Sequence, residues 1–229
     1  NGVLRAQNGN TLTFGAAANV NVRRLQLGTG TINITPGATV TSGGLITSDG
    51  SGNVSTVNQT GGTFNMTGTD NSNGTGASFL MGHWGNSSAS TYNLSGGVLN
   101  AAGAELSLGW DSANVNFNQS GGTANFLGID LNDGRGNAAA YTLTGGRLNL
   151  GANGITTQGS KSVNLGGGTV GAFANWSSSQ NMALTGTGGN VSFDTLDSVD
   201  GTTARAITLT GVLSGTGGLT KKGVGSLAL

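Results

Sequence analysis

The sequence is nearly devoid of the residues that crosslink, kink or charge an ordinary globular domain. Its 229 residues include no cysteine, one proline, one histidine and only 8% charged residues, whereas a typical domain has about 25% charged residues. Disulfides therefore do not hold this fold. A single histidine without cysteine also leaves a zinc site short of ligands, and we expect no cofactor.

The chain also lacks a charge imbalance and a long apolar run. Nine basic residues balance nine acidic residues, so the formal net charge is zero. This balance argues against a nucleic-acid-binding surface, which leaves a basic footprint, and against electrostatic attachment to a membrane. No run of about 18 apolar residues is present, so we expect no membrane insertion within this segment.

Glycine is the residue present in excess, with 45 copies. One proline in 229 residues excludes a collagen helix, which needs both residues at a strict period. Apolar residues alternate with polar ones throughout the chain, which a disordered low-complexity segment would not show. Charged helix formers are scarce, with one glutamate and three lysines, and the alternation has the period of a strand, so the sequence predicts an all-β fold.

One short phrase recurs five times and organises the chain. An aromatic or aliphatic residue is followed by a polar residue, a Gln or Leu, a small residue and a pair of glycines. The glycine pairs begin at Gly61, Gly96, Gly121, Gly145 and Gly167, so the copies recur at similar steps after a longer first step. Periods of this size are typical of repeat architectures.

Each copy reads as two short strands separated by a turn. Apolar residues at every second position predict that one strand face is buried, and the glycine pair can adopt the positive φ of a turn. Polar residues of successive copies would lie above one another if the copies stack in register. We therefore predict ladders of hydrogen-bonded asparagines, formed by Asn58, Asn93, Asn118 and Asn164 before the turn and by Asn65, Asn100, Asn125 and Asn149 after it.

The repeats predict a single β-solenoid domain over residues 1–229. With roughly 22 residues per coil, the chain would form a parallel β-helix of about ten coils whose stability is a sum of contacts between neighbours. Two polar stretches, residues 68–76 and 132–137, interrupt the repeats and are interpreted as loops inserted into single coils.

The end of the given sequence, residues 213–229, carries a family resemblance. The stretch Leu-Ser-Gly-Thr-Gly-Gly-Leu-Thr-Lys-Lys-Gly-Val-Gly-Ser-Leu-Ala-Leu resembles the autotransporter-associated (passenger-associated) β-strand repeat of long bacterial surface proteins. Lys222 and Val224 depart from the small or polar residues usual in that repeat. The resemblance implies a right-handed parallel β-helix that is extracellular and part of a longer protein, and it brings no catalytic motif.

The acidic residues offer weak candidates for catalysis. A glycoside hydrolase needs two carboxylates a fixed distance apart, and Asp111 with Asp133 or Asp130 could supply such a pair from neighbouring coils. Arg135 or Arg147 could serve as the base of a β-helix lyase. Solvated aspartates in turns explain the same pattern, so we expect a protein that is not an enzyme.

The most acidic segment runs from Asp194 to Asp200, and its carboxylates are spaced by three positions. It matches neither the EF-hand loop nor the calcium-binding nonapeptide of β-helices, and calcium binding by this segment stays open. The lone histidine, His83, is interpreted as a turn or face residue.

Aromatic residues suggest a second kind of site. Tyr92 and Tyr141 fall in the buried frame and are assigned to the core. Trp84 and Trp110 each lie just past a Gly, and the spacing between them is close to one repeat. Their indoles could stack on adjacent coils and form a glycan-contact face, or they could be core residues.

We therefore expect an extracellular or cell-surface structural protein, a rigid β-helical spacer or fibre segment. The segments 2–4 and 227–229 both resemble uncapped strands, which predicts end-to-end self-association or continuation of the same chain. The alternative is a β-helix that binds or cleaves a polysaccharide, and surface glycans would then be its partners.

Overall fold

The computed structural model describes residues 2–70, 79–84, 87–110, 114–131, 138–157 and 161–229, and within them it has 23 strands and no helix. The first twelve are β1 (Val3–Ala6), β2 (Asn10–Phe14), β3 (Asn19–Val22), β4 (Arg24–Leu27), β5 (Gly30–Ile34), β6 (Thr39–Ser42), β7 (Leu45–Thr47), β8 (Val54–Met66), β9 (Phe79–Met81), β10 (Ala89–Leu108), β11 (Asn114–Gln119) and β12 (Thr123–Leu131). The remaining eleven are β13 (Ala139–Leu143), β14 (Arg147–Thr157), β15 (Ser162–Leu165), β16 (Thr169–Ala172), β17 (Trp176–Ser178), β18 (Met182–Leu184), β19 (Val191–Asp197), β20 (Ala206–Leu209), β21 (Leu213–Gly215), β22 (Leu219–Lys222) and β23 (Ser226–Ala228).

The chain winds into a parallel β-solenoid with three faces, in which each strand pairs with the equivalent strand of the next turn. Face A consists of β2, β5, 55–59 of β8, 89–94 of β10, β11, β13, β15, β18 and β21. Face B consists of β3, β6, 63–66 of β8, 98–101 of β10, 123–126 of β12, 147–150 of β14, β16, β19 and β22. Face C consists of β1, β4, β7, β9, 105–108 of β10, 128–131 of β12, 154–157 of β14, β17, β20 and β23.

The solenoid has about eight turns, because nine described strands follow one another along face A. The prediction of about ten coils assumed that every turn is as short as the step from Gly145 to Gly167. Steps between stacked residues instead range from 19 residues, between Val163 and Met182, to 35 residues, between Asn58 and Asn93. A step of 31 residues links Asn181 to Val212. These longer steps use the chain without adding turns.

The predicted alternation places one set of side chains in a continuous core along the axis. Tyr92 and Tyr141 are fully buried, as predicted, and Phe117 lies between them. The ring centroids are 4.7 Å apart for Tyr92 and Phe117, and 5.0 Å apart for Phe117 and Tyr141, with nearly parallel planes. Parallel stacking in register brings the same position of each turn above the last, so similar residues meet.

The glycine pairs form the corner between face A and face B. The second glycine of every pair has a positive φ, between 63° and 77°, as the sequence predicted. These glycines also lie above one another in successive turns. A Cβ on Gly122 would lie 2.7 Å from the carbonyl oxygen of Gly97, so the corner needs both the conformation of glycine and its lack of a side chain.

The predicted asparagine ladder on face A is confirmed and extends further than expected. The Nδ2 of Asn58, Asn93 and Asn118 each donates a hydrogen bond of 3.0 Å to the asparagine of the preceding turn, and Asn33 is the first member. Asn164 is the exception, because Thr142 occupies the intervening turn and accepts its bond at 3.3 Å.

The second ladder, on face B, is confirmed in register and in part by hydrogen bonds. Asn65, Asn100, Asn125 and Asn149 pair in order. The amide of Asn149 donates to Asn125 at 2.8 Å, and that of Asn100 donates to Asn65 at 3.5 Å. Side-chain amides thus link the turns on the outside of two faces.

Three asparagine side chains hold the last described turn. Asn175, Asn181 and Asn190 lie just before strands of the preceding turn, and each Oδ1 accepts a backbone N–H from the residue stacked on it. The distances are 2.9, 2.8 and 3.2 Å. These bonds satisfy backbone donors at the three corners where the ladder between strands begins.

We predict that Gly122→Ala lowers the melting temperature substantially, since the new methyl group meets the backbone of Gly97 in a conformation that disfavours alanine. A cost of about 2 kcal/mol corresponds to roughly 4–8 °C for a domain of this size. Gly103→Ala is the matched control, because no atom lies within 4 Å of the added Cβ and φ is not positive there. Circular dichroism on heating measures both variants, and equal melting temperatures would contradict the tight corner.

Candidate functional site

The most exposed aromatic side chain among the described residues lies at the end of face C. Trp84 follows β9 and is 66% exposed, and its φ of 57° is unusual for a bulky residue. Gly82 also has a positive φ, 82°, and turns the chain outward before His83. The sequence left Trp84 open between core and surface, and the structure places it on the surface. Backbone strain at an exposed aromatic residue favours a functional interpretation.

His83 fixes the backbone that presents Trp84. Its side chain is buried, and its ring meets the indole edge to face with centroids 5.5 Å apart. Its Nδ1 lies 3.1 Å from Oδ1 of Asp49, one turn earlier. The backbone N–H groups of Gly82 and His83 both donate to the carbonyl of Thr47 at 3.1 Å. The corner is therefore anchored to the turn below by side chain and backbone.

Asp49 connects His83 to a polar chain that crosses two further turns. Its other oxygen accepts a bond from Gln26, whose Oε1 accepts from Nε of Arg5 at 3.2 Å. The hydrogen bond from His83 is the main cause of a lowered pKa for Asp49, and the bond from Gln26 adds to it against the opposing effect of burial. Asp49 is thus an ionised acceptor at neutral pH.

The other ring nitrogen of His83 is buried without a hydrogen-bond partner. Among the described residues, only Nε2 of His83 and Nε1 of Trp176 are buried side-chain atoms in this condition. A buried polar atom without a partner is costly, so the contact of Nδ1 with Asp49 is the polar contact that holds this ring in place.

Trp110 lies one turn above but is not equivalent to Trp84. Leu108 pairs with Met81, and the N–H of Gly109 donates to the carbonyl of Met81 at 2.8 Å. Trp110 therefore follows the register of His83, and Trp84 is one residue further along. Trp110 is half-buried. The sequence spacing suggested equivalent indoles, but the local step from Met81 to Leu108 is one residue longer than the spacing of the two tryptophans.

The candidate catalytic residues are only partly described. Asp111, Asp133 and Arg135 lie outside the described residues. Asp130 lies on the outer side of face C, and the hydroxyl of Thr156 approaches it at 3.5 Å.

Arg147, considered as a lyase base, is engaged elsewhere on face B. Its Nη1 lies 2.9 Å from Asp194 and its Nε donates to Asn149 at 2.7 Å. These contacts indicate that the guanidinium of Arg147 forms an ion pair with Asp194.

One electrostatic interaction between two acidic residues was missed in the sequence. Burial, together with the charge of Asp130, raises the pKa of Glu105, and a hydrogen bond from Asn153 opposes this rise. Glu105 belongs to the turn before Asp130. The sequence could have revealed this, because the two residues are separated by the same number of positions as Gly96 and Gly121. Within the described ranges, no three His, Cys, Asp or Glu side chains come close enough to hold a metal ion.

The acidic segment 194–200 uses its carboxylates to fold the chain locally. Asp194 accepts from Arg147 and from the N–H of Leu196. Asp197, which is buried, pairs with Arg205 and accepts the N–H groups of Val199 and Asp200 at 2.7 and 3.2 Å.

Asp200, the last acidic residue of that segment, caps the turn that follows. Its oxygens accept from the N–H groups of Thr202 and Thr203 and from the hydroxyl of Thr203. These bonds lower the pKa of Asp200, and the bond from the Thr203 hydroxyl has the largest effect. Hydrogen-bond donors of the chain itself therefore occupy the carboxylate oxygens that a calcium ion would need as ligands.

Comparison of the chain with protein-family models, curated proteins and solved structures finds no match. Separately, the described residues contain no helix both long and apolar enough to span a bilayer.

We predict that Asp49→Asn lowers the melting temperature at neutral pH but not in acid. Because the pKa of Asp49 is lowered in the folded state, its stabilisation is present above the ordinary carboxyl pKa of about 4 and is lost as the pH falls through the lower folded value. The difference from wild type should be largest above about pH 5 and shrink below about pH 3. Thermal unfolding across this range measures it.

The matched control for Asp49→Asn is the same change in a His83→Gln background. Removal of the imidazole removes the principal partner of the carboxylate, so most of the pH-dependent difference should disappear. A difference that stays constant from pH 3 to pH 7 when His83 is present, or one that depends on pH just as strongly when His83 is replaced, would contradict the role of the Asp49–His83 contact.

Proposed function

We propose that this chain is a non-catalytic structural segment, a rigid β-helical spacer or fibre element of an extracellular or cell-surface protein in bacteria. The observation that carries this proposal is the uninterrupted parallel stack along each face. Such a stack supplies length and stiffness by repetition. The resemblance of residues 213–229 to the autotransporter-associated repeat supports the same location and origin.

The chemistry of face A supports a scaffold role. Its nine described strands carry Thr, Asn, Ser and Ala on the outside and no charged side chain. Neighbouring turns stacked about 4.8 Å apart would place like charges close together, and neutral amides bond to one another instead. Neutral ladders therefore let the stack extend without electrostatic repulsion between turns.

We also propose that the helix winds to the right. Connections between parallel strands of one sheet are right-handed in nearly all known cases, because of the right-handed twist of the strands. The family that residues 213–229 resemble is of this hand as well.

The two ends of the described solenoid favour contact with further β-structure. Leu213, Leu219 and Leu227 point toward the core from the last turn but remain partly exposed, whereas equivalent residues in the middle are fully buried. Leu4 and Leu12 have the same character in the first turn. An additional turn would cover these side chains, whether it belongs to the same chain or to a second copy.

End-to-end association should appear as concentration-dependent growth in light scattering and as filaments in electron microscopy. Leu219→Lys should abolish it, because the charge would be buried at the junction. Val98→Lys is the matched control, since Val98 is 36% exposed on the side of the solenoid, and it should assemble like wild type. A protein that stays monomeric at every concentration would contradict self-assembly and leave a spacer within a longer chain.

A second candidate function, carbohydrate binding, is favoured by Trp84 alone. An exposed indole on a strained and anchored backbone suits stacking against a sugar ring, and half-buried Trp110 lies one turn away. Surface glycans would then be partners of the spacer. Cleavage of the polysaccharide has less support, because the candidate pair among the described residues, Glu105 and Asp130, is linked only by an electrostatic interaction that raises the pKa of Glu105.

Affinity electrophoresis in gels that contain neutral polysaccharides tests this candidate. If Trp84 is a platform, Trp84→Ala should lose the retardation, with an affinity loss of roughly tenfold or more for one lost stacking residue. Trp110→Ala should lose less because its indole is half-buried. Trp176→Phe, a change in the core, serves as the control. Wild-type migration that no polysaccharide alters would exclude glycan binding among those tested.

A further inference from the structure

Two glutamine side chains lie inside the apolar core of face A. Gln59 is 0% exposed and Gln119 is 1% exposed. Buried amides are costly unless their polar atoms are bonded. Each of these glutamines is bonded through both its oxygen and its nitrogen, and its principal partners belong to the following turn.

The first glutamine bonds to two groups of the turn stacked above it. Oε1 of Gln59 accepts the hydroxyl of Tyr92 at 2.7 Å, and its Nε2 donates to the carbonyl of Val98 at 2.9 Å. Val98 directly follows the glycine pair of that turn. One side chain therefore joins the core of face A to the corner of the next turn.

The second glutamine repeats this arrangement two turns later. Oε1 of Gln119 accepts the hydroxyl of Tyr141 at 2.6 Å, and its Nε2 donates to the carbonyl of Arg147 at 2.9 Å. Arg147 also directly follows a glycine pair. Burial raises the pKa of both tyrosine hydroxyls, so they remain hydrogen-bond donors.

The turns consequently alternate between two kinds. Turns with a buried glutamine are Val57-Asn-Gln59 and Phe117-Asn-Gln119, and each is followed by a turn with tyrosine and leucine, Tyr92-Asn-Leu94 or Tyr141-Thr-Leu143. The outer polar residues, glycine pairs and strand lengths are nearly the same in all four. Apart from the polar core residues, little in these turns distinguishes a correct neighbour from an incorrect one.

We propose that the Gln–Tyr pairs determine which turn stacks on which during folding, so that the structural repeat is two turns rather than one. If the Tyr141 turn were to stack directly on the Tyr92 turn, the hydroxyl of Tyr141 would face Leu94. A buried hydroxyl would then lack a partner, and Gln119 would lose its bonds to Tyr141 and to the carbonyl of Arg147. A slip by one turn is thus penalised, although the backbone and the outer ladder would accept it.

The lack of cysteine allows the register to be read by engineered disulfides in the full chain. Asn116 and Ala140 are register partners on the outside of face A, and Thr91 is the partner of Asn116 in the turn before. The pair Asn116→Cys with Ala140→Cys reports native stacking. The pair Thr91→Cys with Ala140→Cys reports the slipped register. In the native stack these two residues are two turns apart, about 9.6 Å, which is beyond disulfide reach, whereas in the slipped register they would be neighbours.

Each reporter pair is refolded from denaturant under oxidising conditions, and the crosslinked monomer is quantified by peptide mass spectrometry. We expect the slipped crosslink to be rare in the otherwise wild-type chain. Gln119→Leu combined with Tyr141→Phe should raise the ratio of slipped to native crosslink by roughly tenfold, the factor that one unsatisfied buried group represents. Tyr141→Phe alone is the milder variant if the double variant folds poorly.

The opposite test introduces a new hydrogen-bond acceptor that stabilises the slipped register. Leu94→Gln offers Tyr141 an acceptor in the slipped register and should raise the slipped crosslink while Tyr141 is retained. Leu143→Met, a volume-conserving change that leaves every Gln–Tyr pair intact, is the control and should leave the ratio unchanged. A ratio that is the same in all variants, whatever their melting temperatures, would overturn the proposal and reduce the pairs to ordinary core bonds.

Discussion

The structure depends on the close approach of one turn to the next at the corner between face A and face B. At that corner the glycine pairs that begin at Gly96, Gly121, Gly145 and Gly167 each lie on the glycine pair of the turn below, with backbone atoms where a side chain would otherwise be. Parallel pairing in register on the adjoining faces requires this approach, because any spacer at the corner would separate the strands beyond hydrogen-bonding distance. The abundance of glycine is therefore a packing requirement as well as a conformational one.

Once the turns stack in register, polar side chains can bond along the axis. Asn58 and Asn93 of face A each use one donor and one acceptor in bonds of 3.0 Å, and the ladder occupies the outside of the sheet without charge. Buried glutamines do the same in the core but with a different partner type. The outer asparagine ladders can bond to any neighbouring turn that carries an asparagine, whereas the inner Gln–Tyr pairs bond only in the correct order of turns. The outer column therefore contributes stability, and the inner column contributes the specificity of stacking.

The sequence was sufficient for the fold class and for much of the repeat. Alternation at every second position and glycine pairs at near-regular steps are local signals, and they predicted the parallel β-solenoid, the buried tyrosines, the positive φ of the glycines and the ladders. The number of turns was not predictable to the same degree. Turn length is set by the connections, and the 31-residue step to Val212 contains no motif that reveals its length.

Contacts between turns were the least predictable part of the candidate site. Asp49 and His83 are 34 residues apart, and their pairing requires knowledge of the register. The same holds for Arg24 and Asp70, which are 46 residues apart and form a buried pair in which Nε lies 2.5 Å from Oδ2. The one-residue offset between the two tryptophans has a similar origin, since the local step between turns is one residue longer than their spacing. The surface position of Trp84 depends on the positive φ values of the preceding glycine and of the tryptophan itself.

Distances along the axis would test the in-register stack most directly. Thr13, Thr142 and Ser214 belong to one outer column of face A, with five steps from Thr13 to Thr142 and eight from Thr13 to Ser214. Spin labels on cysteines at these positions, measured in pairs by electron–electron resonance, should lie about 24 Å and 38 Å apart at a rise of about 4.8 Å per turn. Distances that grow in proportion to the number of steps would support the stack. Distances that do not follow the step number would contradict it.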